Sequence, residues 1–306
     1  MGSGLSRTAR GTGLLGYVFA IVAAAFYAVG GVIAKRAFEL GVPPDLLAQW
    51  RILFAFVAFA AITLIFKRDD LRAVRRADLP LLGLFGLLGV LAVQLVYYQA
   101  IERIPIGVAL VIEYTAPLMI LGYWRMRGRH VGLGLWLAGV LTLVGCYFVV
   151  GAYDAQLRAV NAAGAFLAAV DAVILAGYFL ITERLVTRYS SWALLFVGFG
   201  TAALAWSIAR PPWTLPWSTL GTEIGWYVLG VVVIATVVPY LFSVGAVRLI
   251  PAARVGLTST AEPVIAAIAA WLLIGQSLET LQVVGGAIVI VGILVAQSVR
   301  LAADGV

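Results

Sequence analysis

Three acids lie where water should be scarce. Glu113, Asp171 and Glu262 sit inside apolar runs of this 306-residue chain. A carboxylate at the centre of a membrane helix costs about 2.5 to 3.5 kcal/mol on insertion scales, a cost met by a partner, a proton or a water-filled path. Two prolines stand beside them: Pro117 follows Glu113 by four residues, and Pro263 follows Ser259 by four. A proline inside a helix has no N–H and frees the carbonyl four residues back, so the carbonyls of Glu113 and Ser259 are expected free near the bilayer midplane. Freed backbone at that depth survives only beside protein groups or a wet cavity.

The neighbouring residues suit a small zwitterion, which needs donors on one side and acceptors on the other. Ser259, Thr260 and nearby amides are expected as donors; Glu113 and the freed carbonyls are expected as acceptors. Gln94 and Asp171 would add polar wall, while Tyr98, Tyr114 and Tyr178 would enclose the side chain. Each acid also admits a plainer role, as a protonated or interhelically bonded group, and Tyr97 at the end of its segment fits an interfacial belt. Arg254 lies in the first turn of its segment, where the helix dipole disfavours a cation; it either snorkels to headgroups or serves as a gate or as an anchor for a substrate carboxylate. It stands eight residues from Glu262, about 80° around a helix, so the two cannot pair.

Enzyme chemistry finds little support. His130 is the single histidine and Cys146 the single cysteine, so paired-histidine zinc sites and intrachain disulfides are excluded. No Ser/His constellation, Walker motif or dinucleotide-binding glycine pattern occurs. No cofactor and no metal site are expected.

The elements that must position these residues follow from composition. Hydrophobic residues make up 63% and charged residues 11%, far from the balance of a soluble domain, and mean hydropathy is +1.05. Ten apolar segments are expected to cross a membrane, at about 14–34, 45–66, 79–101, 105–123, 131–150, 160–182, 191–209, 222–246, 252–273 and 280–299. Each is near the roughly 20 residues that span 30 Å of hydrocarbon. Stretches such as "GVPPD", "RMRGRH" and "RPPWTLPW" separate them. Residues 1–13 are expected as a disordered cytosolic tail and 301–306 as a second tail.

The net charge of +7 sits in short loops, where basic residues orient the chain; nucleic acid is not an expected partner. With a cytosolic N-terminus, the inner segments hold Arg7, Arg10, Lys67, Arg68, Arg72, Arg75, Arg76, Arg125, Arg127, Arg129, Arg184, Arg188, Arg248 and Arg300. Only Lys35, Arg36, Arg103, Arg158 and Arg210 fall outside, and Arg51 and Arg254 are left within or at the edges of segments. Both termini are therefore expected in the cytosol, in a multi-pass protein of the plasma membrane, the inner membrane of a bacterium.

An internal repeat organises the segments. "AIERIPIGVALVIEYTAP" (100–117) matches "AVRLIPAARVGLTSTAEP" (246–263), with Ala100, Ile104, Pro105 and Pro117 falling on Ala246, Ile250, Pro251 and Pro263 at one offset. Because each half holds five segments, the second copy must enter the membrane from the opposite side. The expected fold is an all-α membrane protein of ten transmembrane helices, in two inverted five-helix repeats (14–150 and 151–300) around a central cavity, the architecture of alternating access.

The stretch from Ala246 through the Glu262-Pro263 pair to Gly285 and Gly292 resembles the second repeat of EamA-type transporters of the drug/metabolite transporter superfamily. Gly30, Lys35, Pro44 and Arg51 are spaced like that family's opening helices. Two positions depart: Gln276 stands where the family often carries an acid, and "RMRGRH" replaces an apolar-then-acidic stretch. Within the superfamily, overall length and Tyr114 to Pro117 resemble the YddG-type amino-acid exporters. The resemblance implies a secondary transporter that exports amino acids or related small metabolites, with the lipid bilayer and a small-molecule substrate as partners and oligomeric state left open. The alternatives are proton-coupled efflux of drugs or other metabolites, a sugar-phosphate or nucleotide-sugar carrier, and a non-transporting membrane scaffold or receptor.

Overall fold

The computed structural model describes residues 3–154, 161–274 and 277–299, and every regular element among them is helical. The first half comprises α1 (Ser3–Glu39), α2 (Pro44–Phe66), the short α3 (Arg68–Arg72), α4 (Leu79–Gly86), α5 (Val93–Ile101), α6 (Ile106–Glu113), α7 (Ala116–Met126) and α8 (Leu133–Val149). The second comprises α9 (Ala162–Leu185), α10 (Ser191–Ala209), α11 (Glu223–Val232), α12 (Val238–Leu249), α13 (Ala252–Ser259), α14 (Ala261–Ile274) and α15 (Thr280–Ser298). The expected tail over 1–13 overlaps the first turns of α1, while 301–306 and Gln276 lie outside the described residues.

Local chemistry sets the boundaries. Gly41, at φ +86°, ends the turn after α1 in a conformation only glycine adopts freely. Asn161 accepts the Ala163 and Gly164 N–H groups to cap α9, and Ser190 accepts that of Ala193 to cap α10. Pro105 and Pro251 occupy the N-caps of α6 and α13 with near-identical backbone, ψ 139° and 146°.

Among the described residues, eight helical stretches are long and apolar enough to cross a bilayer. The fifth segment, α8, has 17 residues, and the ninth is divided into α13 and α14, of 8 and 14 residues. The third and eighth segments each contain a π turn, Leu87–Ala92 between α4 and α5 and Val233–Val237 between α11 and α12. Their starts are 146 residues apart, the offset that carries Ala100 onto Ala246. Thr236 donates its hydroxyl to the Val231 carbonyl five residues back, at 2.9 Å, the longer reach of a π turn.

Packing repeats the pattern of the sequence. α1 lies on α11 and α12 as α9 lies on α4 and α5; α1 also meets α13 and α14 as α9 meets α6 and α7. The equivalent pairs α2 with α10 and α8 with α15 pack directly. In lipid, helices associate through close packing, and glycines permit it here. A Cβ on Gly86 would stand 2.4 Å from the Gly198 carbonyl, and one on Gly145 would stand 2.8 Å from that of Gly285. Around Trp50, Phe59, Phe85 and Phe199, all fully buried, the rings of Phe59 and Tyr240 each stack 5.0 Å from Phe199. Val57, Ile65, Phe166 and Ile208 face outward, as a lipid-facing surface requires.

Candidate functional site

The fourth and ninth segments break at equivalent places. α6 ends at Glu113 and α7 begins at Ala116; α13 ends at Ser259 and α14 begins at Ala261. Pro117 and Pro263, both buried, stand at the second and third positions of the following helices. A helix end leaves carbonyls without partners, and a hydroxyl at each break answers this. Thr115 donates to the Ile112 carbonyl and Thr260 to that of Leu257, each at 2.6 Å. The two broken helices touch, since a Cβ on Gly256 of α13 would lie 3.0 Å from Cγ of Pro117. Cys146 of α8 donates to the Thr260 carbonyl, with sulfur and oxygen 3.8 Å apart.

Three acids from three segments are linked through Glu113 beside these breaks. Glu113 interacts electrostatically with both Asp171 and Glu262. The Tyr114 hydroxyl lies near Glu262, and Tyr97 lies within electrostatic reach of all three carboxyls. Glu262 occupies the first turn of α14, where the helix dipole favours an anion. Asp171 is fully buried in α9, and neither carboxyl oxygen has a hydrogen-bond partner among the described residues. Carboxylates so placed repel one another strongly in a medium of low dielectric, so the cluster calls for a cation or for protons. No group of three or more His, Cys, Asp or Glu side chains among the described residues is arranged to hold a metal ion.

The other expected residues fall into separate settings. Tyr178 packs against Phe85, 5.4 Å between ring centres, and covers Gly89 of the π turn, where a Cβ would meet its ring at 1.9 Å. Tyr98 stacks near Phe38 and Tyr97, at 6.5 and 6.1 Å. Tyr114 belongs to a small core with Cys146, Val149, Val289 and Ile293. Gln94 is half-buried in α5, just beyond the π turn.

The hydroxyls expected as donors are already engaged. Ser259 donates to Val255 at 3.0 Å and Thr260 to Leu257, both within their own helix, so their oxygens remain only as acceptors. Arg254 is likewise engaged: it donates to the Tyr17 hydroxyl at 3.1 Å and to the carbonyl of Val299. Val299 caps α15, and a cation at a helix C-terminus is favoured by the dipole. The charge misplaced on its own helix is thus well placed on another.

Glu262 and Tyr97 join the cluster, although from sequence Glu262 is not among the expected donors and acceptors and Tyr97 fits an interfacial belt. Their partners lie on other segments, and spacing along one helix carries no sign of them. Towards the ends of α7 and α9 a cavity of about 530 Å³ is lined by Trp124, Arg127, Arg129, Glu183 and Arg184. A second, of about 270 Å³, shares Glu183 and reaches Arg248 and Pro251. Glu183 also accepts the Ala252 N–H at 3.3 Å, at the start of α13.

Several relatives of this chain are named as transporters. An uncharacterized transporter of Archaeoglobus fulgidus is 28% identical over 251 residues, covering 80% of this chain and 84% of its own. The threonine/homoserine exporter RhtA of Salmonella typhimurium (strain SL1344) is 27% identical over 259 residues, covering 83% and 81%. RhtA of Escherichia coli (strain K12) is 26% identical over 279 residues, covering 89% and 88%. One crystal structure, 19% identical, shares the fold with a TM-score of 0.75 over 92% of this chain and 96% of that one. The profile of the EamA-like transporter family matches residues 14–151 and 162–297, one copy per half, so this chain belongs to that family as a multi-pass membrane transporter.

Proposed function

We propose that the protein exports amino acids or closely related metabolites across the plasma membrane by alternating access. The observation that carries this reading is the meeting of Glu113, Asp171 and Glu262 beside two broken helices. Three acids gathered in apolar surroundings suit an ammonium group, and helix breaks near the midplane are where transporters expose backbone to a substrate. Ten crossings in two inverted repeats, both termini cytosolic and a central cavity belong to the same proposal. The names of the RhtA relatives, threonine and homoserine exporters, support this substrate class. The protein works as a facilitator that follows its substrate gradient.

Counterflow of labelled threonine, homoserine and larger amino acids in proteoliposomes tests the reading. Uptake above that of protein-free vesicles is expected for several of them. Its absence for every amino acid, with other metabolites moved instead, would overturn the substrate class. The acid cluster also favours a second reading, exchange of substrate for protons. Uphill uptake driven by a pH gradient alone would select it over the facilitator.

A further inference from the structure

Among the described residues, Arg51 is the one basic side chain less than a tenth exposed, at 8%. It is the eighth residue of α2, so it stands about 10 Å along the axis from the start of that helix. Its guanidinium lies within electrostatic reach of the hydroxyls of both Tyr240 and Tyr27. The rings of Tyr27 and Tyr240 are 6.1 Å apart and nearly perpendicular. Tyr240 donates its own proton to the Gly89 carbonyl at 3.0 Å, which leaves its oxygen to accept from Arg51.

The rest of the guanidinium is open. Arg51 appears in none of the five ion pairs among the described residues, and its Nε, though buried, has no partner. An arginine offers five N–H donors in a planar fork that matches a carboxylate with two parallel bonds. A charge at this depth without an acid beside it is what a site for an anionic group looks like before the group arrives.

Tyr27 is within electrostatic reach of both Arg51 and Glu262, so the fork and one member of the acid cluster share this ring as a neighbour. The positive pole is carried by α2 and the negative pole by the two helix breaks and α9. We propose that Arg51 anchors the carboxylate of the substrate while Glu113, Asp171 and Glu262 receive its ammonium, so that the site selects a zwitterionic α-amino acid. This rests on the export reading above and assigns the donor that Ser259 and Thr260 do not supply.

The test compares L-threonine with L-threoninamide, which keeps the ammonium and lacks the carboxylate, in counterflow with reconstituted protein. The wild type is expected to prefer threonine. Arg51→Gln is expected to cut threonine transport at least ~10-fold, the size of a lost charge-assisted bond, while threoninamide changes less than about twofold on the same scale. Arg51→Lys, which keeps the charge without the fork, is expected to fall between. Equal loss for both compounds in a folded Arg51→Gln protein, or no loss for either, would overturn the assignment. Monodispersity and melting temperature establish folding. Should Arg51→Gln fail to fold, competition on the wild type decides: threoninamide displacing bound threonine as well as threonine itself would overturn it. A wild type that moves neither compound nor any other amino acid would instead sink the export reading.

Discussion

Replacing Gly145 with alanine is expected to destabilise the protein by about 2 kcal/mol, and the magnitude follows from the crossing of α8 and α15. The added Cβ would lie 2.6 Å from Cγ2 of Val289, 2.7 Å from its backbone nitrogen and 2.8 Å from the Gly285 carbonyl. Two of these three atoms are backbone, so no change of rotamer relieves them and the helices must part. Overpacking of this kind costs about 1 to 3 kcal/mol, and firm backbone contacts place it near the upper end. The intrinsic preference of alanine over glycine in a helix offsets up to about 1 kcal/mol. Gly31→Ala is the control: nothing lies within 4 Å of its Cβ position, so the variant should match the wild type or exceed it by at most about 1 kcal/mol. Reversible unfolding in mixed micelles measures both. Equal stability of the two variants would refute the close crossing inferred from these glycines.

Glu113→Gln is expected to reduce amino-acid transport strongly in proteoliposomes at unchanged protein yield; an unaltered rate would remove the fourth segment from the site. Tyr114 packs with Cys146 and Ile293 and brings its hydroxyl near Glu262, so Tyr114→Phe should keep the fold and lower transport, whereas Tyr114→Ala should add a cavity costing about 3 to 5 kcal/mol and shift preference among large side chains. Matching rates and preferences in wild type and both variants would argue against a role for this ring. Arg254→Gln should lower stability by about 1.5 to 3 kcal/mol through the lost bonds to Tyr17 and Val299, with substrate preference unchanged; a changed preference would instead support a gate. For topology, single cysteines at His130 and Asp154 in a Cys146→Ser background should react with membrane-impermeant reagents from opposite faces, and labelling from one face would contradict the proposed crossings.

Much of the architecture was legible because its causes are local. Hydropathy over some 20 residues marks a membrane segment, and a proline acts on a carbonyl four residues away, so the breaks near Pro117 and Pro263 could be read before any packing was known. The repeat that places Pro105 on Pro251 needed only comparison of the chain with itself. The π turns gave no such signal, because nothing in "LLGVLA" or "VIATV" differs from an ordinary apolar helix. What they accommodate is contact: Tyr178 over Gly89, and α1 at Gly30 against Ala235.

Partner choice was the second thing beyond reach. Sequence alone determined that Glu113, Asp171, Glu262, Arg51 and Arg254 are charges held in apolar surroundings, each therefore in need of compensation. Only the tertiary structure decided that Arg254 caps α15, that Arg51 meets Tyr240, and that the three acids stand together. The reason is physical: the need for a partner arises from the group and its solvent, whereas the partner itself is set by how each helix is rotated and how closely it crosses its neighbours. Those angles come from the fit of whole helix surfaces, glycine against backbone at Gly86 and Gly145 among them, and side-chain packing of that kind is a property of two segments at once.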